Sequence, residues 1–409
     1  MASGALDLLA TPRRRRWLFA ALYFFEGAPI GFLWWALPVV LRDAGHPVDR
    51  TSALLAVVAL PWAFKFVWAP LVDLLRGPRW TERGWIVCAQ AVMAGSLLPI
   101  AVSGTGGGLA WLGTVLVVHA FAAATQDVAI DALAIRSSDP AERGRLNAWM
   151  NAGMLCGRAA FGSGALFARE HLSDQAVALV LASTLALGSL LALAYRPESS
   201  PGPSRARARR LARHLAMAFG RRATWFTLAF AAAGGAGFEA VGVLVGPFVL
   251  DAGASQRALA VFYAFPAWAA PVAGGLAAGR FADRLGHRRT VALASLGLAL
   301  AVLALSRAAA LGAGPASLFA LLVPVYLGIG AFTASSYALF MDCTDPELGS
   351  TQFSAYMGAT NLCESWSVAA GGRIAARQGY PTAFAGLALA SLVALALLPR
   401  TERGGPARP

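Results

Sequence analysis

Apolar residues in this chain run in long blocks, without the alternation of a strand or the one-sided stripe of a soluble helix, and polar residues collect in short clusters between them. A block that is apolar on every side belongs in lipid or in a large core, and a bilayer needs ~20 such residues per helix. Twelve blocks can be read, most of them long enough: Trp17–Leu41, Ser52–Leu74, Gly84–Ser103, Leu109–Ile135, Leu146–Ala168, Ala176–Tyr195, Ala223–Leu250, Ala258–Gly279, Val291–Ser306, Ala316–Met341, Thr351–Gly372 and Pro381–Leu398. Open strands would leave backbone groups unsatisfied in lipid, so helices are expected. The predicted fold class is an all-α membrane protein with twelve transmembrane helices.

The second half of the pattern repeats the first. Asp139-Pro140 returns as Asp345-Pro346, 206 positions later. Pro38 to Gly45, ending Arg-Asp-Ala-Gly, returns as Pro247 to Gly253, ending Asp-Ala-Gly, with Asp43 and Asp251 208 apart. Cys156 and Cys363 are 207 apart. An offset near half of 409 residues implies two parallel six-helix repeats, an arrangement in which a solute site lies at the repeat interface. The expected organisation is a six-helix bundle over 1–195, an Arg- and Pro-rich linker over 196–222 and a second bundle over 223–409. Pro, Gly and Ser in that linker disfavour a packed core, and its arginines keep it wet or lay it on anionic lipid.

Composition agrees: 57% of residues are hydrophobic and 13% charged, about half the ~25% charged share of soluble domains. The net charge of +13 alone would suggest nucleic acid, but its placement does not. If the N-terminus is inside, 25 of the 33 arginines fall in cytoplasmic segments and six on the opposite side. This is the positive-inside rule, and it predicts both termini in the cytoplasm. Arg13 to Arg16 precede a run too long for a simple signal peptide, so the first block reads as a membrane helix. The four cysteines have neither metal-ligand nor disulfide spacing, and neither metal nor cofactor is expected.

Ionisable residues inside spanning segments cost at least ~2.5–3.5 kcal/mol each, so each calls for a partner or a function. Segment one carries Glu26, two Lys65, four His119, Asp127 and Asp131, five Arg158, seven Glu239, and eleven Glu364 and Arg373. Segments three, six, nine and twelve carry none in their interiors. His119, Asp127 and Asp131 are spaced by multiples of four, along one helix face. Counted from the cytoplasmic ends, Glu26, Lys65 and Asp127 lie at a similar depth of about 13 Å. An ammonium beside a carboxylate stabilises both charges, and protonating the acid loosens the pair. Glu26, Lys65, Asp127 and Asp131 are therefore the expected proton-coupling set; an inert ion pair that fixes packing is the other reading. Arg158 and Glu364 occupy nearly matching places in the two repeats, a cation against an anion. With Glu239 and Trp34 they form the expected solute-binding set, Arg158 suited to gripping a carboxylate or phosphate. His119 is expected to be a satisfied polar group.

The turns carry a further motif. Gly279-Arg280-Phe281-Ala282-Asp283-Arg284-Leu285-Gly286-His287-Arg288-Arg289 resembles the G-x-x-x-D-R-x-G-x-R-R turn of major facilitator transporters. Its first-half counterpart, Ala69 to Gly77, keeps Asp73 and Gly77 with Arg76. In that superfamily the turn acts as a conformational latch, which the resemblance assigns here to Asp73, Arg76, Asp283, Arg284 and Arg288. The uncharged segments would then be the peripheral helices.

Three stretches resemble the peptide/acetyl-coenzyme A branch of that superfamily, which includes AmpG-type muropeptide permeases: Phe25-Glu26-Gly27-Ala28-Pro29 leading to Leu41 to Gly45, Leu60 to Asp73, and Thr125-Gln126-Asp127-Val128-Ala129-Ile130-Asp131-Ala132. Ala134 and Arg136 stand where muropeptide permeases tend to carry an Arg and an acid, and the compact length also resembles related siderophore-uptake permeases. The resemblance implies a proton-coupled importer of a bulky polar solute, muropeptide-like or siderophore-like, in a bacterial inner membrane. Its expected partners are solute, protons and lipid, with no nucleic acid, and it is expected to be a monomer. An exporter of the same fold and a non-transporting membrane sensor are the alternatives. No nucleotide-binding loop, zinc-protease helix or nucleophile constellation appears, so an enzyme is not expected.

Overall fold

The computed structural model describes residues 7–104, 108–196, 209, 212–213, 216–217, 219–344 and 349–399. Most of the 196–222 linker, with Asp345-Pro346, lies outside the described residues. The described residues are helical, with no strand. They form twelve long helices: α1 (Pro12–Asp43), α2 (Val48–Leu74), α3 (Glu82–Ser103), α4 (Leu109–Ser137), α5 (140–168), α6 (Asp174–Leu191), α7 (Arg222–Asp251), α8 (256–285), α9 (His287–Ala310), α10 (Pro315–Asp342), α11 (Gly349–Gln378) and α12 (Tyr380–Leu397). Ten are long and apolar enough to cross a membrane; α5 and α11, which carry Arg158 and Glu364, are not among those ten. Their polarity marks them as helices that a bundle, not lipid, must accommodate.

Local chemistry sets the helix ends. The Thr11 hydroxyl accepts from the Arg14 amide with Pro12 in the first turn, and Ser173 and Ser255 cap α6 and α8 in the same way. The repeated Asp-Ala-Gly closes α1 and α7 alike: Gly45 and Gly253 adopt φ of 83° and 91°. The following amides of His46 and Ala254 bond back to the carbonyls of Leu41 and Val249.

The chain divides into two compact units, one of 1–208 with 243–265, the other of 209–242 with 266–409. Within the first, α1 packs on α5, α4 on both α2 and α3, and α3 on α6. Within the second, the start of α7 packs on α11, α10 on both α8 and α9, and α9 on α12. Each pairing in one unit has its counterpart six helices later in the other, as the sequence repeat requires. Helix α1 buries 78% of its most apolar stretch, whereas α3, α6 and α12 bury 33% and α8, α9 and α10 bury 39%.

The α1–α5 contact is the tightest in the first unit. A Cβ on Gly27 or Gly31 would overlap the backbone of Met154 or Arg158, and one on Gly153 or Gly157 would overlap that of Ala20 or Phe24. Two small-xxx-small pairs therefore interlock, the usual way membrane helices approach closely. Both helices carry a π-helical turn beyond this contact, Phe32–Ala36 in α1 and Ala159–Ser163 in α5. Such turns break the regular ladder and mark functional positions. Arg158 immediately precedes one of them, and Trp34 lies inside the other.

Candidate functional site

The residues upward from this contact build a charged cluster inside the first unit. Lys65 of α2 forms an ion pair with Asp127 of α4, the side chains 14% and 9% exposed. Tyr23 of α1 donates from its hydroxyl to Asp131 Oδ1 at 2.6 Å and also reaches Asp127 Oδ1 at 3.5 Å. Glu26, one turn along α1 from Tyr23 and 2% exposed, lies within hydrogen-bonding reach of Asp127. One Glu26 oxygen, Oε2, is buried without a partner. Three acids, one ammonium and one phenol thus share a site where three helices converge. Tyr23 is not legible in the sequence as a member; its signal is the i, i+3 spacing to Glu26 on one helix face.

Along the helices, an apolar layer lies between this cluster and the arginine-rich end. It includes Leu18, Phe19, Leu22, Ile130, Leu133, Met150 and Tyr195. His119 is apart from the cluster: its Nδ1 donates to the Met93 carbonyl at 3.1 Å, tying α4 to α3.

Arg158, at the end of the regular part of α5, forms no ion pair or hydrogen bond from its side chain among the described residues, and its Nε is buried. An unpaired guanidinium at that depth is a ready receptor for an anion. Trp34 packs edge-on against Trp62, ring centroids 5.8 Å apart. Glu239 and Glu364 belong to the second unit, where both act electrostatically on Cys363. Glu239 lines a pocket there with Phe230, Phe238, Thr333, Tyr337 and Cys363. Thr333 and Tyr337 lie 206 positions after Asp127 and Asp131, so at these repeat-related positions the second unit carries a hydroxyl and a phenol where the first carries acids, and the acid of that pocket is Glu239 on α7.

At the arginine-rich end, Glu82, the first residue of α3 and 1% exposed, is clamped by Arg76 Nε at 2.9 Å and Arg136 Nε at 2.7 Å. Sequence reading finds Arg76 but misses Glu82, since a lone acid in a basic loop resembles solvated surface. The second unit inverts the polarity: His287 opens α9 and its Nδ1 meets Asp342 Oδ2, at the end of α10, at 2.6 Å. Arg288 donates to the Pro399 carbonyl at 3.1 Å, and Arg284 is exposed. The side chains of Asp73 and Asp283 lie outside the described residues.

At the opposite end, the first unit is fastened by charge. Arg42 grips Asp251 with two bonds of 2.9 and 2.8 Å. The repeat-related acid Asp43 bonds to Arg169 at 3.0 Å and to Gln256, and Arg169 also holds Asp174 at 2.8 Å. Beneath these pairs Trp35 stacks on Tyr263, centroids 4.9 Å apart.

The family model described as Major Facilitator Superfamily matches residues 19–371, and a second match covers 268–409. The anhydromuropeptide permease of Escherichia coli K12 is 27% identical over 133 residues, 32% of this chain and 26% of that protein. The putative transporter AmpG 4 of Rickettsia conorii is 28% identical over 149 residues, 36% of each. These matches span only about a quarter to a third of the relatives. Among solved structures, a point mutant of the nucleoside transporter NupG superimposes with a TM-score of 0.73 at 12% identity, over 95% of this chain and all of that one. A D-xylose-proton symporter gives 0.73 at 11% identity, over 95% and 96%. A family model that runs through both repeats, on a fold shared along nearly the whole length with solved transporter structures, makes this multi-pass membrane protein a member of the Major Facilitator Superfamily.

Proposed function

We propose that the chain is a proton-coupled importer of a bulky, anionic polar solute, working by alternating access in a bacterial inner membrane with both termini cytoplasmic. The observation that carries this reading is the Glu26–Lys65–Asp127–Asp131–Tyr23 cluster, opposed by neutral Thr333 and Tyr337 at the repeat-related places. A proton arriving on Asp127 cancels its attraction for Lys65 and releases α2 from α4, which links protonation to helix movement. Arg158 takes the carboxylate or phosphate of the solute, with Glu239, Glu364 and Trp34 as its further contacts. In this reading two six-helix bundles, 1–195 and 223–409, are joined by the 196–222 linker in a monomer. The charged clamps at the arginine-rich end, including Arg76, Arg284 and Arg288 with Asp73 and Asp283, latch one conformation and part in the other.

The similarity to anhydromuropeptide permeases favours a muropeptide as solute. The test is uptake into proteoliposomes under an imposed pH gradient, with labelled anhydromuropeptide and a ferric siderophore compared. Gradient-driven accumulation of the muropeptide is expected. Asp127→Asn with Asp131→Asn should abolish accumulation while sparing exchange, and Arg158→Gln should weaken binding itself. Full pH-driven accumulation by the double variant would exclude these acids as the coupling site. Accumulation of the siderophore alone would overturn the muropeptide assignment.

A further inference from the structure

A second cationic site lies away from the transport cluster, on the first unit at its arginine-rich end. Pro12, Arg15, Arg16, Glu142, Arg145 and Leu146 line a pocket of about 110 Å3 between the beginnings of α1 and α5. Its charges do not cancel. The lone lining acid, Glu142, is engaged by Arg15 at 2.8 Å, and Arg15 also donates to the Leu9 carbonyl. Arg15 Nε remains buried without a partner. Arg16 bonds only to the Pro12 carbonyl of its own helix, through Nε, and Arg145 is exposed with no ion pair among the described residues. Two guanidinium groups are thus left over at a place where two helix N-termini add their positive ends.

The depth of this pocket identifies its ligand. Trp17 directly follows Arg16, and Trp149 follows Arg145 by one turn. The two indoles meet edge-on with centroids 4.7 Å apart, and Trp17 is 57% exposed. Aromatic rings of this kind gather at the level of lipid headgroups. The arginines therefore lie at headgroup depth, one turn or less from the apolar boundary. Guanidinium pairs are matched to phosphate oxygens, and basic pockets between membrane helices suit anionic headgroups.

We propose that this pocket binds the phosphate of an anionic phospholipid, held by Arg16 and Arg145 and oriented by Arg15. The proposal is independent of which solute is carried.

The test is thermal unfolding and native mass spectrometry of the purified full chain in detergent. The additives are phosphatidylglycerol, cardiolipin, phosphatidylcholine or soluble glycerol phosphate. The anionic lipids should raise the unfolding temperature and remain bound, and the other two should do neither. Arg16→Gln with Arg145→Gln should weaken retention of the anionic lipid roughly 30-fold. Arg280→Gln with Arg289→Gln, which removes the same charge from exposed positions in the second unit, should leave it unchanged. Equal losses in both double variants would show diffuse attraction to a basic surface and overturn the site. Equal binding of soluble glycerol phosphate would overturn the lipid assignment. Should the Arg16/Arg145 variant misfold, Arg145→Gln alone, at an exposed position, carries the same comparison.

Discussion

Replacing Lys65 by methionine should destabilise the protein more than neutralising the acid it pairs with. Lys65 is the sole lysine of the chain, and Asp127, Asp131 and Glu26 all act on it. Both side chains of the Lys65–Asp127 pair are less than 15% exposed, so water cannot compensate for a lost partner. Stranding a buried charge in this way costs about 3–5 kcal/mol. Asp127→Asn is different: Lys65 keeps Asp131 and Glu26 nearby, and the loss is that of one charge-assisted hydrogen bond, about 1.5–3 kcal/mol. At roughly 2 °C per kcal/mol for a chain of this size, Lys65→Met should lower the unfolding temperature by roughly 6–10 °C. Asp127→Asn should lower it by about half as much. The combined variant should cost less than the sum, because each change relieves the other. Thermal unfolding in detergent, followed through the twelve tryptophans, measures all three. Strict additivity, or an Asp127→Asn variant less stable than Lys65→Met, would refute the claim that one ammonium serves several acids.

Two further changes test the packing and the clamp. Gly27→Ala places a Cβ on the Met154 backbone, where nothing flexible can yield, and should cost about 1–3 kcal/mol. By contrast Gly95→Ala, which meets nothing within 4 Å, should be neutral or stabilise by up to ~1 kcal/mol; paired unfolding curves decide. Glu82→Gln removes the acid shared by Arg76 and Arg136 and should cost about 3 kcal/mol, read as a lowered unfolding temperature and altered uptake; an unchanged protein would show that the clamp is idle.

Helix placement is legible because lipid enforces it. The first block reads as Trp17–Leu41 and the helix is Pro12–Asp43; the tenth reads as Ala316–Met341 and the helix is Pro315–Asp342. The extra turn at the start of α1 is capped by Thr11, beyond the apolar boundary, which hydropathy does not register. The grouping of Lys65, Asp127 and Glu26 follows from equal depth alone, since helices of fixed rise bring equal depths to one level. Tyr23 and Glu82 escape, because a phenol or a carboxylate acquires a role only from what faces it.

By itself, the sequence determined what the solvent dictates. Blocks apolar on all sides must cross a bilayer as helices, arginines must gather on one side, and a repeat near half the length must yield two like sets of six. Azimuth and partner choice are different quantities, set by side chains meeting across helices distant in the chain. Only the tertiary structure decided that Gly27 and Gly31 interlock with Gly153 and Gly157, and that Arg158 meets no acid among the described residues while Lys65 takes Asp127. It also decided that residues 243–265 join the first unit through Arg42 and Asp251. Hydropathy measures transfer into lipid residue by residue, whereas pairing depends on rotation about each helix axis, and a change of about 100° per residue leaves no trace in an average over roughly twenty.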